Sequence, residues 1–348
     1  MNSLEDIIKY LQEYDGPQIK LMEVCGTHTA SIFKNGIRSL ISDRIKLISG
    51  PGCPVCVTPA AYIDKAIELS KKENHILLTF GDMMKVPGAS QSLAEAKAEG
   101  AKVEIMYSPL EAIDKAKNNP DKVYVVAAVG FETTVPPYAL LIQKALQENV
   151  TNVRLLTALK TIVPALEWVC NSEPDIDGFI CPGHASVIVG AIAYEPLAEQ
   201  FKKPFVIAGF EAEHILTVIY DIVKQIKEHR SKVHNLYPNV VRNEGNVAAR
   251  KLIEAYFEPG AAVWRGLGKI DGSGLYLRKG YESFDAGSFG LDADVARSKN
   301  CACGAVIIGR ISPNECPMFG KVCTPTSPQG PCMVSAEGAC GIWYKNII

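Results

Sequence analysis

Six of the eleven cysteines in this 348-residue chain, Cys301, Cys303, Cys316, Cys323, Cys332 and Cys340, fall within its last 48 residues. They are threaded through glycine and proline as CACG, ECPMFGKVCTP and GPCMVSAEGAC. Only four residues between 301 and 340 are charged, Arg310, Glu315, Lys321 and Glu337, so this tail makes a poor solvated surface and a good wrapping for something buried. Structural zinc sites usually pair their cysteines as Cys-x(2–4)-Cys, whereas here a CxC is followed by intervals of 13, 7, 9 and 8 residues. That irregular set favours a four-thiolate cage of the kind a 4Fe-4S cluster accepts, with two sulfurs left over. One or two zinc ions and a disulfide scaffold are the competing readings.

A second thiol region lies at the other end of the chain, with Cys25 in MEVCGTHTA and Cys53 and Cys56 in GPGCPVCVTP. The latter pair has the Cys-x-x-Cys spacing of dithiol redox centres and of many half metal sites. With His28 close by, three soft sulfurs and an imidazole are available to zinc, copper(I) or iron. Cys25 alone reads equally well as a buried core cysteine.

The chain alternates short apolar runs with helical stretches. Strands are expected at 19–24, 44–49, 75–80, 102–107 and 122–129, then at 152–159, 177–182 and 204–210. Helices are expected at 59–74, 89–100 and 214–229, and an N-terminal one carries Leu4, Ile7, Ile8 and Leu11 on one face. Strands that are mostly apolar rather than alternating imply a parallel sheet covered on both faces. After about residue 236 the pattern loosens into loops, among them WRGLGKIDGSGLYL (264–277).

Polar motifs follow the strands of the first series: CGTHT, GPGCPVC, GDMMKVPG and GFETT. Open parallel sheets bind ligands at the carboxyl ends of their strands, so the four motifs are expected to share a site. Asp82 and Lys85 would orient a ligand there or form a turn. Glu132, with Thr133 and Thr134, would supply a carboxylate or cap the next helix. His184 in CPGH is a proton-transfer or a core histidine, Glu211 and His214 follow a later strand in the same way, and Cys170 and Cys181 read as packing cysteines.

A net charge of -2 gives no attraction to nucleic acid or anionic membrane. The N-terminus lacks the basic and apolar segments of a secretion signal, and no apolar run approaches the roughly 20 residues of a membrane-spanning helix. The expectation is a cytoplasmic protein whose cysteines ligate metal or do redox chemistry.

MEVCGTHT, GPGCPVCVTP, FGDMMKVPG, GFETT, PGH, the WRGLG loop and the cysteine tail, taken in this order over nearly the whole chain, resemble the HypD family of nickel-iron hydrogenase maturation proteins. The resemblance implies a redox-active scaffold, rather than a conventional turnover enzyme, on which iron acquires cyanide and carbon monoxide to become the Fe(CN)2CO centre. Its implied partners are a small HypC-type chaperone and a HypE-type cyanide donor, met by a monomer that forms a hetero-complex. Carried onto this sequence, Cys25 would hold the transient iron and Cys53 with Cys56 would form the nearby dithiol. His28, Asp82 and Glu132 would orient ligands or move protons. A likeness to ferredoxin:thioredoxin reductase makes Cys301, Cys316, Cys323 and Cys340 the 4Fe-4S ligands and Cys303 with Cys332 the adjacent redox pair. A stand-alone thiol-disulfide oxidoreductase of that reductase type is the alternative.

The expected architecture is α/β, with two Rossmann-like parallel-sheet domains and a small loop-rich C-terminal iron-sulfur domain. The divisions are an N-terminal helix at 1–18 packing on the C-terminal domain, a first α/β domain at 19–136 with the thiol and iron site, a second at 137–235, and the cluster domain at 236–348.

Overall fold

The computed structural model describes residues 3–294 and 300–347. Among them, eleven strands form two sheets. The first contains β1 (Ile19–Glu23), β2 (Ile45–Ser49), β7 (Gly178–Cys181), β8 (Phe205–Ile207) and β9 (Val233–Asn235) in the order β2-β1-β7-β8-β9, all parallel. The second contains β3 (His75–Thr79), β4 (Val103–Ile105), β5 (Val123–Gly130), β6 (Val153–Lys160), β10 (Phe257–Trp264) and β11 (Gly268–Leu277). Its order is β10-β11-β6-β5-β3-β4, antiparallel where β11 meets β10 and β6 and parallel elsewhere.

The helices are α1 (Leu4–Gln12), α2 (Gly26–Lys34), α3 (Ala60–Lys71), α4 (Leu93–Ala98), α5 (Glu111–Asn118), α6 (Val135–Gln147) and α7 (Ile162–Ser172). They continue with α8 (Gly183–Val189), α9 (Glu195–Phe201), α10 (Ala212–Lys227), α11 (Val247–Tyr256), α12 (Cys303–Ile307) and α13 (Ala339–Ile347). No helix among the described residues is long and apolar enough to cross a membrane.

The apolar strands are buried because helices cover both faces of each sheet. On the outer face of the second sheet, Val126 and Leu155 pack in one cluster with Tyr138, Leu141 and Ile142 of α6. On the outer face of the first, Leu21, Ile180 and Val206 cluster with Ile215, Ile219 and Ile222 of α10. The inner faces share a single core that takes in Met22 and Phe179 of one sheet, Val125 and Leu156 of the other, and Cys303, Cys316, Cys323, Cys332 and Cys340 of the tail.

Three expectations are corrected. The division at residue 136 cuts through both sheets, because β1 and β2 join β7 to β9 while β3 to β5 join β6, β10 and β11. The pairing that decides this, Leu21 against Gly178, is non-local, and no local pattern announces it. The glycine-rich segment 264–277 is not a loop but mostly strand β11, hairpinned to β10 and added to the edge of β6. The N-terminal helix packs on α10 rather than on the tail. Tyr10 meets Tyr220 edge-on at 4.9 Å, and Lys227 Nζ lies 5.3 Å from the Tyr10 ring centroid. The helix that the tail does contribute, α13, packs on α2, where Trp343 meets Phe33 at 5.0 Å and Arg38 stacks over both rings.

Leu11 is 0% exposed in the cluster that joins α1 to α10. Leu11→Ala is expected to lower unfolding free energy by about 2–5 kcal/mol, measured by urea denaturation. A loss within a few tenths of a kcal/mol would show that α1 adds nothing to the first sheet's cover.

Candidate functional site

Cys25 is placed by the end of β1. It is the N-cap residue of α2, 5% exposed, with extended backbone. The preceding strand residue, Glu23, turns its carboxyl inward and fixes this junction: it accepts from Cys25 N at 3.2 Å, from the Thr29 hydroxyl, and from Ser49 at the end of β2. Burial pushes the Glu23 carboxyl up to about 7 against those hydrogen bonds. The Cys25 thiol is pushed up to about 12 by burial, opposed by the Thr27 N–H at the start of α2. A neutral thiol at rest therefore gives up its proton when a metal ion replaces it.

Cys25 faces a cavity of about 120 Å³ built from the carboxyl ends of both sheets. The first sheet gives Val24, Gly52, Pro54, Pro182 and His184; the second gives Phe131, Thr133, Thr134 and Ile162. Glu337 of the tail closes it. Gly26 makes that closure possible, since a Cβ there would lie 2.2 Å from Glu337 O, and Gly52 lets the dithiol loop close on Cys25, since a Cβ there would lie 2.5 Å from Cys25 N. Any other residue at either place would push the loops apart.

Cys53 and Cys56 are disulfide-bonded in the loop after β2. They line a narrow second cleft together with Gly26, Thr29, Gly52, Ile307, Cys332 and Glu337. The structure thus brings one tail cysteine, Cys332, to the dithiol loop. Cys332 is in hydrogen-bonding reach of both Cys303 and Cys340, and Cys303 Sγ lies 3.3 Å from Cys301 Sγ.

All six tail cysteines sit in an apolar shell with Val306, Ile307, Phe319 and Met333. Among the described residues no group of three or more His, Cys, Asp or Glu side chains converges on a single point. The fit of the tail to a cluster therefore rests on donor chemistry and enclosure. The donors are thiols alone, five of the six are buried and Cys301 is half-buried, and Gly330 leaves free the volume where a Cβ would strike Cys303 Sγ at 2.3 Å and Cys301 Sγ at 2.8 Å. Soft sulfur in a dry, apolar pocket is the environment an iron-sulfur cluster takes.

The remaining candidates are placed as follows. His28 is fully buried behind Cys25, with Nε2 3.2 Å from Gly209 O, and burial lowers it to about 4. It packs on Phe210, whose ring also carries His184 at 4.3 Å, and it is His184, not His28, that lines the Cys25 cavity. Asp82 and Lys85 sit in a short 3-10 turn (Gly81–Lys85) outside both cavities, although the charge of Asp82, after burial, helps raise the Glu337 carboxyl. Glu132 is buried at the end of β5, and its Oε1 accepts from Ile162 N at 2.7 Å. It therefore caps α7 rather than the next helix in sequence, α6. Glu211 is the N-cap of α10, His214 packs near Tyr237 at 5.9 Å, and Cys170 and Cys181 are core residues. Sequence reasoning missed Glu23 and Glu337. The first lies inside the MEVCGTHT motif as an apparent strand residue, and the second was one of only four charges in the tail.

Burial pushes the Glu132 carboxyl up to about 7 from an ordinary 4.5. The folded protein then keeps a proton that the unfolded chain loses between those values, so this contribution to stability is full below pH 4.5 and lost as pH rises to 7. Glu132→Gln is expected to flatten the stability profile across that window, a difference of up to about 3 kcal/mol. Unfolding titrations from pH 4 to 8 with the same slope in both proteins would contradict it.

The HypD family model, described as the hydrogenase formation hypA family, matches residues 2–347. The hydrogenase maturation factor HypD of Rhodobacter capsulatus is 42% identical over 335 residues, covering 94% of this chain and 89% of that protein. The factor of the same name from Escherichia coli is 41% identical over 332 residues, again 94% and 89%. A putative hydrogenase expression/formation protein of Methanocaldococcus jannaschii is 40% identical over 345 residues, 99% of this chain and 96% of that one. Matched almost from end to end, the chain belongs to the HypD family of hydrogenase maturation factors.

Proposed function

We propose that this maturation factor is the scaffold and electron donor on which the iron of a nickel-iron hydrogenase becomes its Fe(CN)2CO centre. The iron is cargo, held between Cys25 and a thiolate of a HypC-type chaperone, and cyanide arrives as a thiocyanate on a HypE-type donor. The observation that carries this reading is the adjacency of two cavities, one facing Cys25 and one joining Cys53–Cys56 to Cys332, with Gly52 and Glu337 in the wall of both. A metal-binding thiol and a two-electron dithiol are next to each other. A stand-alone thiol oxidoreductase would use the dithiol and the tail but has no use for a separate cavity around Cys25.

The chemistry balances on these residues. Releasing cyanide from a thiocyanate consumes two electrons. With the pair reduced, one thiolate of Cys53/Cys56 attacks the carrier sulfur, cyanide leaves, and a mixed disulfide forms. The second thiolate then displaces the carrier thiol and closes the Cys53–Cys56 bond. Cys303 and Cys332 restore the dithiol by exchange, becoming a disulfide themselves. A cluster held by Cys301, Cys316, Cys323 and Cys340 would supply the single electrons that reduce that pair. His184 and Glu337, in the cavity walls, are placed to hold or pass protons.

The test uses the full chain purified anaerobically with its HypC-type partner. Wild type is expected to retain iron with infrared bands of bound cyanide and carbon monoxide, and Cys25→Ala to lose both. Cys53→Ala is expected to keep iron but show no cyanide bands. A Cys25→Ala complex with undiminished bands would remove the iron role, and a Cys53→Ala protein that still matures active hydrogenase would remove the dithiol's.

A further inference from the structure

The turn of the β10–β11 hairpin, Arg265-Gly266-Leu267, has no part in the chemistry above, yet it touches both thiol regions. Arg265 is 5% exposed. Its backbone N–H donates to Val57 O at 2.8 Å, its Nε to Thr58 O at 2.8 Å, and its terminal nitrogen to Pro87 O at 3.2 Å. Val57 and Thr58 directly follow Cys56, so two of the three bonds hold the dithiol loop itself. Asp294 completes the anchor: it lies 3.5 Å from Arg265 Nε and accepts from Ala60 N and Gly266 N.

The other side of the same turn bears on the tail. A Cβ on Gly266 would lie 2.3 Å from Gly304 Cα, and one on Gly304 would lie 2.9 Å from Gly266 Cα, so the hairpin tip and the residue after Cys303 are in backbone contact. One hairpin end is therefore tied to the segment after Cys56 by a backbone N–H and one arm of the guanidinium, whose other arm holds Pro87, and to the helix of Cys303 by two glycines. A fork with fixed donor geometry can span two carbonyls on different loops, and a lysine ammonium cannot reproduce it.

We propose that Arg265 is a positioning residue for thiol-disulfide exchange, holding the Cys53–Cys56 loop at attack distance from the Cys303/Cys332 pair. The inference rests on the reading that electrons pass from that pair to Cys53–Cys56. In the exchange, the Cys332 thiolate attacks one sulfur of the Cys53–Cys56 bond, which breaks as the mixed disulfide forms. The Cys303 thiolate then attacks Cys332 Sγ, closing Cys303–Cys332 and freeing the second sulfur. Two electrons move to the loop pair, and the two protons of the tail thiols finish on Cys53 and Cys56. In-line attack of sulfur on sulfur tolerates little misplacement, and a shift of the loop by about 1 Å can cost up to a hundredfold in rate.

The experiment starts from cluster-loaded full-length protein with both pairs oxidised, adds dithionite anaerobically, and quenches with an alkylating reagent at increasing times. Mass spectrometry reads the labelled cysteines. In wild type, label is expected at Cys303 and Cys332 first and at Cys53 and Cys56 after a short lag. In Arg265→Lys and Arg265→Met the first phase is expected unchanged and the lag longer by about tenfold or more. Direct reduction of Cys53–Cys56 by a small phosphine, without dithionite, is expected to be as fast as in wild type or faster, because it needs no alignment with the tail.

A lag unchanged in both variants overturns the inference, as does a normal lag in Arg265→Lys with a long one in Arg265→Met, since charge alone would then suffice. A phosphine reaction slowed as much as the internal step also overturns it, because the loop itself would then be damaged. Wild-type protein in which Cys53 and Cys56 never follow Cys303 and Cys332 overturns the underlying electron path instead. Should Arg265→Met fail to fold, by circular dichroism and iron content, Arg265→Lys decides.

Discussion

The site depends on backbone touching backbone. A cysteine-rich tail with little regular structure reaches the strand ends of the first sheet because Gly26 leaves room for Glu337 O, and the dithiol loop closes on Cys25 because Gly52 leaves room for Cys25 N, both at distances no side chain would allow. Without that approach the tail would stand off by the thickness of a side chain and Cys332 would lose the cavity it shares with Cys53 and Cys56. The contact holds because each partner is fixed elsewhere. Glu23 fastens the Cys25 junction through a backbone N–H and two hydroxyls, and α13 is clamped on α2 by Trp343, Phe33 and Arg38. Two well-ordered surfaces meeting through glycine lose less conformational entropy on assembly than two loops that must order each other.

The interleaved topology supplies the rest. The chain builds two strands of the first sheet, four of the second, three more of the first, and then the hairpin that extends the second. Neither sheet is finished until the chain has crossed back, so the two form around one common core rather than as independent units. The carboxyl ends of β1, β2 and β7 come to face those of β5 and β6 across the cavity of Cys25. The rule that parallel sheets bind at their carboxyl edges thus applies twice to one space, which is why motifs more than a hundred residues apart line the same walls.

Much of this was legible locally. The eight expected strands, α1, α3 and α10 follow from apolar runs and periodicity, and CGTHT, GPGCPVC and GFETT do meet at strand ends. What was not legible was partnership. Leu21 could pair with any parallel strand of similar character, and only the assembled molecule selects Gly178 and its neighbours. β11 was hidden because Gly268, Gly272 and Gly274 interrupt the apolar pattern; it forms because β10 on one side and β6 on the other supply its hydrogen bonds. Likewise GDMMKVPG stands at a strand end yet lines neither cavity, and its Asp82 bears on them only through its charge on Glu337. Its neighbour Pro87 matters through a carbonyl given to Arg265, a contact no side-chain motif reveals.

Burial also decides what the Cys25 cavity can hold. Behind its walls Glu23 and Glu132 are raised to about 7, the acid in the wall, Glu337, is raised above its ordinary value, the Cys25 thiol is raised to about 12, and His28 is lowered to about 4. Each shift has the same leading cause, desolvation of the charged form, so charge in and behind this cavity is costly. On the proposed reading, a divalent iron bound by the Cys25 thiolate alone would leave one uncompensated positive charge in a place where charge is costly. A second thiolate removes it. No other thiol of the chain lines the Cys25 cavity, since Cys53, Cys56 and Cys332 line the neighbouring cleft instead. On that same proposed reading a thiolate brought from outside by a small chaperone would supply the missing negative charge, complete the coordination and shut the cavity to water.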